Sequence, residues 1–341
     1  MITCLNCGVN PAGASFALCA QCLREYSDKE KIFRLHEPVR KKFGLPVNPP
    51  RSPDGLACNI CSNSCRIKPG ECGYCGLRVN DNGKLRTKAP EGSALLHMYL
   101  DALPTNCCAA WFCGGSEEQG YNLAVFMYGC NFDCLFCQNA SHKYIEDATA
   151  VTDDELVQKA LDHRVRCVCF FGGSPEPQLP FTIRAAERIH EESGGSRHIC
   201  WEWNGCGNKE LVKRASELSE KSGGTVKFDL KAFHPEISYA LCGVDNTRAY
   251  ENFRLVAELF PDVITATTLL VPYYVGAEEV RAISEFISKI NPGIPYSLLV
   301  FHPDFYLDDF PVTPGEQVDE CYEVAKRYLK KVNIGNRGLL L

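Results

Sequence analysis

The sequence predicts an α/β chain, a partial (β/α)6 TIM-like barrel carrying a cysteine-rich, metal-binding N-terminal extension. Three observations carry that assignment. From residue 122 onward six short apolar runs recur, and charged segments with helical spacing separate them. Before residue 122, cysteines fall in groups with two- or three-residue gaps.

Residues 1–23 come first. Cys4, Cys7, Cys19 and Cys22 read C-x2-C-x11-C-x2-C, two knuckles whose separation suits a closed tetrahedral ion. The segment reads as a zinc-ribbon-like unit, with rubredoxin-type iron as the alternative, since four soft thiolates accept either. It is too short to fold by apolar burial, so the metal is expected to stabilise it, and docking to a partner or substrate is its expected use. Residues 24–55 follow as a charged, mildly basic helical piece whose "PVNPPRSP" reads as an extended linker. Its charges read as a solvated helix face. Residues 56–121 form a pre-barrel region with two more cysteine blocks. One holds Cys58, Cys61, Cys65, Cys72 and Cys75; the other, "PTNCCAAWFCGG", holds Cys107, Cys108 and Cys113. A second zinc site and an auxiliary iron–sulfur cluster are both open for them.

Residues 122–341 form the barrel. The apolar runs are "LAVFMY" (123–128), "RCVCFF" (166–171), "HICWEW" (198–203), "TVKFDL" (225–230), "VITATTLLV" (263–271) and "YSLLVF" (296–301). Helical segments such as "TDDELVQKALDH" and "NKELVKRASELSEKS" lie between them, with Thr152 and Asn208 as N-caps. Six β-α units imply parallel strands with right-handed crossovers. An eight-unit closed barrel needs more units than the chain offers, and an open doubly wound sheet is the competing arrangement. Either way, ligands bind at the C-terminal ends of the strands. There the sequence places "GCNFDC", "GGSPEP", "NGCGN", "KAFHP", "PYY" and "HPDF", one after each run.

The first of these loops continues as "GCNFDCLFCQN", with Cys130, Cys134 and Cys137 spaced C-x3-C-x2-C and Phe136 before the last. Three thiolates hold three irons of a [4Fe–4S] cubane and leave the fourth open; half of a zinc site is the other reading. The stretch resembles the signature of radical S-adenosylmethionine (SAM) enzymes, particularly the pyruvate formate-lyase activating enzyme group. The resemblance implies that SAM chelates the open iron through its amino and carboxylate groups. An electron passed through the cluster then cleaves the sulfonium, and the 5′-deoxyadenosyl radical abstracts hydrogen from substrate. "FFGGSPEP" resembles the family's glycine-rich motif, which implies that Gly172, Gly173 and Ser174 face the SAM amino group; Ser174 stands where the family usually has Glu, with Glu176 nearby. "FDLKAF" resembles the strand-four motif, so Asp229 and Lys231 are expected at the SAM carboxylate or the substrate. "VFHPDFYLDDFP" resembles the last-strand motif, implying His302 near SAM, and Asn204 is expected to reach the ribose. "CNICSNSCRIKPGECGYCGLR" resembles a pre-barrel motif of AmmeMemoRadiSam-system enzymes through Cys58, Cys61, Cys65 and Cys75, with Cys72 extra. Together these likenesses cover residues 56 to 337. Metal is assigned to the first block, and the Cys107–Cys113 block is placed near the active site. Cys167, Cys169, Cys200, Cys242 and Cys321 read as buried free thiols.

Composition narrows the class further. Hydrophobic residues make 45% and charged residues 23% of the chain, ordinary for a globular protein. No apolar run is long enough to span a bilayer, and "MITCLNCGVNPAG" lacks an export signal. The 21 cysteines therefore point to metal in a reducing, anaerobic cytoplasmic setting and not to disulfides. A formal charge of −6 argues against wholesale nucleic-acid binding. The favoured substrate is a protein or peptide, as for the activating enzymes, with flavodoxin or ferredoxin as electron donor. A C-methyltransferase using cobalamin is the second reading, disfavoured because every β-α unit is used by the barrel. A non-catalytic zinc and iron–sulfur scaffold is the third.

Overall fold

The computed structural model describes residues 1–14, 16–25 and 34–340; residues 26–33 of the expected helical piece lie outside the described residues. Three short antiparallel ribbons lead the chain. They pair β1 (Ile2–Thr3) with β2 (Pro11–Ala12), β3 (Leu56–Ala57) with β4 (Arg66–Ile67), and β5 (Arg78–Asp81) with β6 (Lys84–Thr87). Helices α1 (Ala20–Glu25) and α2 (Glu37–Lys42) lie among them.

Each of the six apolar runs forms a strand. With β7 (Ser93–Ala102) they are β8 (Tyr121–Met127), β10 (Val165–Gly172), β11 (His198–Trp203), β12 (Val226–Asp229), β13 (Ile264–Leu270) and β14 (Tyr296–Val300). Two short strands complete the sheet, β9 (Ala150–Thr152) and β15 (Val332–Gly335). The spatial order is β15-β14-β13-β12-β11-β10-β8-β7-β9. Strands β8 and β10 to β15 run parallel, while β7 is antiparallel to both β8 and β9. The parallel strands stand in chain order. A doubly wound sheet would reverse direction midway, so that alternative is removed. The sheet holds one parallel strand more than the sequence expectation of six. Its two edges are β15 and β9, and no strand pairing joins them among the described residues, so the sheet is nine-stranded and open.

Helices α3 (Asp153–Ala160), α4 (Leu179–Glu192), α5 (Lys209–Ser222), α6 (Pro235–Cys242), α7 (Thr247–Leu259), α8 (Ala277–Ile290) and α9 (Gly315–Lys326) connect the strands. Thr152 and Glu155 form a reciprocal capping box on α3, and Asn208 Oδ1 accepts from Glu210 N at 2.9 Å at the start of α5. Side chains alternate along each strand. Val168, Phe170, Ile199, Trp201, Val226 and Phe228 are fully buried, and Trp201 Nε1 donates to Ala215 O of α5, so this set faces the helices. Phe170 and Trp201 stack at 4.5 Å between centroids. The alternate set, Cys167, Cys169, Cys200, Glu202, Lys227, Asp229 and Ser297, faces the other way. Polar and sulfur groups on a central sheet are costly unless they meet partners. This face is where the site is built.

The N-terminal segment packs back on the loop after β13. Phe16 lies 4.9 Å from Tyr274 between centroids, Gly13 N donates to Tyr274 Oη at 3.1 Å, and Tyr274 Oη donates to Leu18 O at 2.8 Å.

Candidate active site

Strand β8 ends at Met127, and Gly129 (φ +74°) turns the chain into the cysteine loop. A side chain at Gly129 would meet Leu77 at 2.5 Å and Cys75 O at 3.1 Å, so the pre-barrel block sits directly against this turn. The loop is then clasped through its backbone. Asp133 N donates to Cys242 O at 2.8 Å and Leu135 N to Leu241 O at 2.9 Å, both carbonyls lying at the C-terminal end of α6. Those carbonyls have no helical partner, so the loop satisfies them.

Asp133, inside the motif, is fully buried and holds a lysine, an arginine and a histidine side chain. Lys143 Nζ lies 2.5 Å from Oδ1, His36 Nδ1 3.0 Å from Oδ2, and Arg40 Nη1 3.5 Å from Oδ1. Burial would raise this carboxyl, but Lys143, His36 and Arg40 outweigh it and hold Asp133 far below the usual carboxylate range. Arg40 also lies 3.6 Å over the Tyr74 ring. The expected solvated face of residues 24–55 is corrected here: His36 is 0% and Arg40 1% exposed, because Asp133 draws them inward. Lys143 and Arg40 outnumber the one carboxylate and leave an excess of positive charge beside the thiols, which is what a cluster of thiolates needs.

Cys130, Cys134 and Cys137 line one cavity of about 660 Å³. The Cys242 thiol donates to Cys134, and together with Lys231 and Lys143, against the cost of burial, it holds Cys134 below the ordinary thiol range. Burial pushes Cys130 well above that range, with the Cys134 charge adding to it, and the same two causes push Cys137 up to about 11. A bound metal ion would reverse this, since coordination deprotonates thiols outright. Phe132 N donates to Cys130 Sγ at 3.3 Å, fixing its direction.

Opposite the thiols, the loop after β10 carries Gly172, Gly173 and Ser174 onto the cavity wall. A Cβ at Gly173 would meet Gly129 O at 2.4 Å, so only glycine lets the two loops approach. Ser174 donates to Glu176 and accepts from Asn204 Nδ2 at 2.9 Å. Asn204 also donates to Asn131 Oδ1 at 2.8 Å. Glu176 is fully buried; its Oε1 accepts from Gly205 N at 2.8 Å, and burial pushes its pKa up to about 7. Asp229 and Lys231 face the cavity from the end of β12, 2.9 Å apart, with Thr267 donating to the other Asp229 oxygen. Burial would lower Lys231, but Asp229, Cys134 and Cys242 outweigh it and keep the ammonium charged. Lys231 Nζ also lies 5.7 Å over the Phe136 ring, and Phe136 joins the lining.

Cys130, Cys134, Cys137, Phe136, Gly172, Gly173, Ser174, Asn204, Asp229 and Lys231 thus meet in one cavity. His302 is not among its lining residues; its Nδ1 lies 3.2 Å from Pro303 O. Several contributors carried no sequence signal as a site: Asp133, Lys143, Cys242, His36 and Arg40 support the loop, and Asn333, Gly335 and Asn336 reach the cavity from β15 and its end. Two of its walls also present unmet donors or acceptors: His142 Nδ1 and Trp203 Nε1 are buried with no partner among the described residues. The donor set of three thiols, a glycine cradle and unpaired polar atoms fits a cubane bearing a polar chelating ligand.

The other cysteines fall into groups. The Cys4, Cys7, Cys19 and Cys22 sulfurs all lie within 4.8 Å of one another, so this group could hold a metal ion. Cys61 is raised first by burial and then by Cys75, Cys65 and Cys58, which places those four within electrostatic reach of one another. Cys72 stands apart, its surroundings set by burial and by Lys88 and Arg40. This block is seated on the loop after β11, where Ser62 N donates to Cys206 O at 2.9 Å and Asn208 N to Ile60 O at 2.8 Å. Asn63 Nδ2 reaches Asn131 O in the cysteine loop at 2.7 Å. Among the described residues no helix is long and apolar enough to cross a membrane.

Residues 124–287 match the family described as the Radical SAM superfamily. A protein of uncharacterised function from Methanocaldococcus jannaschii is 27% identical over 288 residues, 82% of this chain and 81% of its own. The pyruvate formate-lyase-activating enzyme of Staphylococcus epidermidis is 24% identical over 199 residues, 55% of this chain and 78% of its own. The isethionate sulfite-lyase activating enzyme of Desulfovibrio desulfuricans is 40% identical over 79 residues, 23% of this chain and 25% of its own.

Proposed function

From a chain that carries a radical SAM domain, we propose an enzyme that reductively cleaves S-adenosylmethionine and abstracts hydrogen from a protein or peptide. One observation carries the reading: the three loop thiols, the glycine cradle and the Asp229–Lys231 pair line a single cavity. With a [4Fe–4S] cluster held by Cys130, Cys134 and Cys137, bound SAM would supply a 5′-deoxyadenosyl radical there. The protein's own part is positioning and shielding. Cys242, Lys231 and Lys143 favour the thiolate form of Cys134 against burial and the Asp133 charge. Gly173, free of a side chain, leaves backbone groups open to an amino group. Lys231 offers a cation to a carboxylate, although Asp229 shares that charge. Phe132, Phe136 and Trp203 give the cavity apolar walls that exclude water.

Two relatives are named for activating other enzymes, and that favours a macromolecular substrate over a metabolite. An electron donor such as flavodoxin or ferredoxin completes the proposal, and zinc is proposed for Cys4, Cys7, Cys19 and Cys22. The test is anaerobic reconstitution followed by reduction with SAM present. Release of 5′-deoxyadenosine is expected, and its loss in Cys134→Ala. No cleavage by the fully loaded wild type would overturn the reading, and bound cobalt with S-adenosylhomocysteine release would replace it with methyl transfer.

A further inference from the structure

Six thiols outside the loop triad converge between β10, β11 and residues 104–118. Cys167, Cys169 and Cys200 project from the polar face of the sheet. The parallel register sets Cys169 beside Cys200, and Cys167 beside His198. The 104–118 segment lies over them: Cys108 Sγ donates to Glu202 Oε1 at 3.0 Å, and Trp111 Nε1 donates to Ser297 Oγ at 3.0 Å. A Cβ at Gly115 would meet the His198 ring at 3.1 Å and Cys113 Sγ at 3.7 Å, so Cys113 also arrives at this spot. All six sulfurs are free thiols.

They sort into two layers. Cys108 and Cys169 share the surroundings of Glu202 and Lys227. Cys107, Cys113, Cys167 and Cys200 form a quartet in which every member lies within electrostatic reach of the other three. We propose that Cys107, Cys113, Cys167 and Cys200 bind a second [4Fe–4S] cluster, distinct from the one at Cys130, Cys134 and Cys137.

Spacing decides between a cluster and a single ion. A zinc–sulfur bond of about 2.3 Å brings tetrahedral thiolates to about 3.8 Å of one another. The N-terminal four approach that spacing, and among the described residues no other group of three or more cysteines, histidines or carboxylates does. The quartet and the loop triad both fall outside that spacing, and a cubane, whose thiolates bind separate irons, holds them farther apart than a single ion does. Thr225 N donates to Cys200 Sγ at 3.4 Å, the kind of amide contact that steadies a cluster sulfur. Cys107 lines the same cavity as the triad, so the second cluster would reach that cavity through this ligand.

The test uses the full chain, reconstituted anaerobically, with iron and acid-labile sulfide counted per chain. Cys167→Ala/Cys200→Ala is expected to lose about four irons and four sulfides relative to wild type, whereas Cys108→Ala/Cys169→Ala loses none. An unchanged count in the first variant overturns the proposal. A second measurement needs no variant: alkylation of the wild type read by mass spectrometry, before and after the iron is stripped. Protection of the four cysteines that is lost on stripping supports the site. Labelling of all four in loaded protein, or their recovery as disulfides, overturns it.

Discussion

Glu176 illustrates how one buried carboxyl shapes the behaviour of the site. Its pKa rises from an ordinary value near 4.5 to about 7 because burial outweighs the bonds from Ser174 and Gly205. The folded protein therefore keeps a proton that the unfolded chain releases over that window. Stability tied to this group is fully present below about pH 4.5 and falls as pH rises toward 7, by on the order of 3 kcal/mol in all. Glu176→Gln, which can still accept from Gly205 N, should flatten that slope. Melting temperatures taken from pH 5 to pH 7.5 check this, and parallel slopes for variant and wild type would refute it. At the same scale lies the clearest limit on reading the sequence. Asp133 stands inside the recognised motif, yet its partners His36 and Arg40 come from a piece whose charges look solvated. Their burial depends on a carboxylate 97 residues from His36, and local pattern holds no trace of that pairing.

Among the elements, the six central strands were legible because each is a short, mainly apolar run with at least one face buried against the helices. The last strand, "VNIG", was not: it is four residues long and half-buried throughout. Strand β7 lay hidden in the region read as pre-barrel, its partner β8 being the first apolar run counted. The N-terminal ribbon was legible for another reason, since two C-x2-C knuckles announce themselves by spacing alone. Its β1–β2 pairing spans only two residues on each side, too little to persist unaided. Metal removal should therefore unfold this element while leaving the sheet standing. With a strong chelator, or in Cys4→Ala, amide exchange in residues 1–23 is expected to accelerate by at least tenfold, with exchange in β10 to β13 unchanged. Uniform acceleration throughout would show that the ribbon holds the whole molecule together.

At the scale of the molecule, the N-terminal part of the chain is sewn to the sheet domain at several points. Residues 13–18 are fixed to Tyr274, His36 and Arg40 to the cysteine loop, and that loop to the end of α6. The parallel strands, by contrast, pair only with neighbours next to them in sequence, apart from β7 and β9 at one edge. Such ordering lets the sheet grow strand by strand, whereas the ties made by the first eighty residues close very long loops. Pulsed hydrogen exchange during refolding should find β8 to β12 protected first and residues 34–80 last; simultaneous protection would contradict this.

The clasp on the cysteine loop then has a consequence for how the protein is made. Its three thiols leave the ribosome about a hundred residues ahead of Cys242, whose carbonyl and thiol complete their setting. During synthesis the pocket for iron is therefore an unfinished one, its ligands exposed to oxidants and stray metals before its walls exist. Loading is expected to be a late, post-assembly event, and a cell that makes this protein would do best to deliver iron to a finished chain.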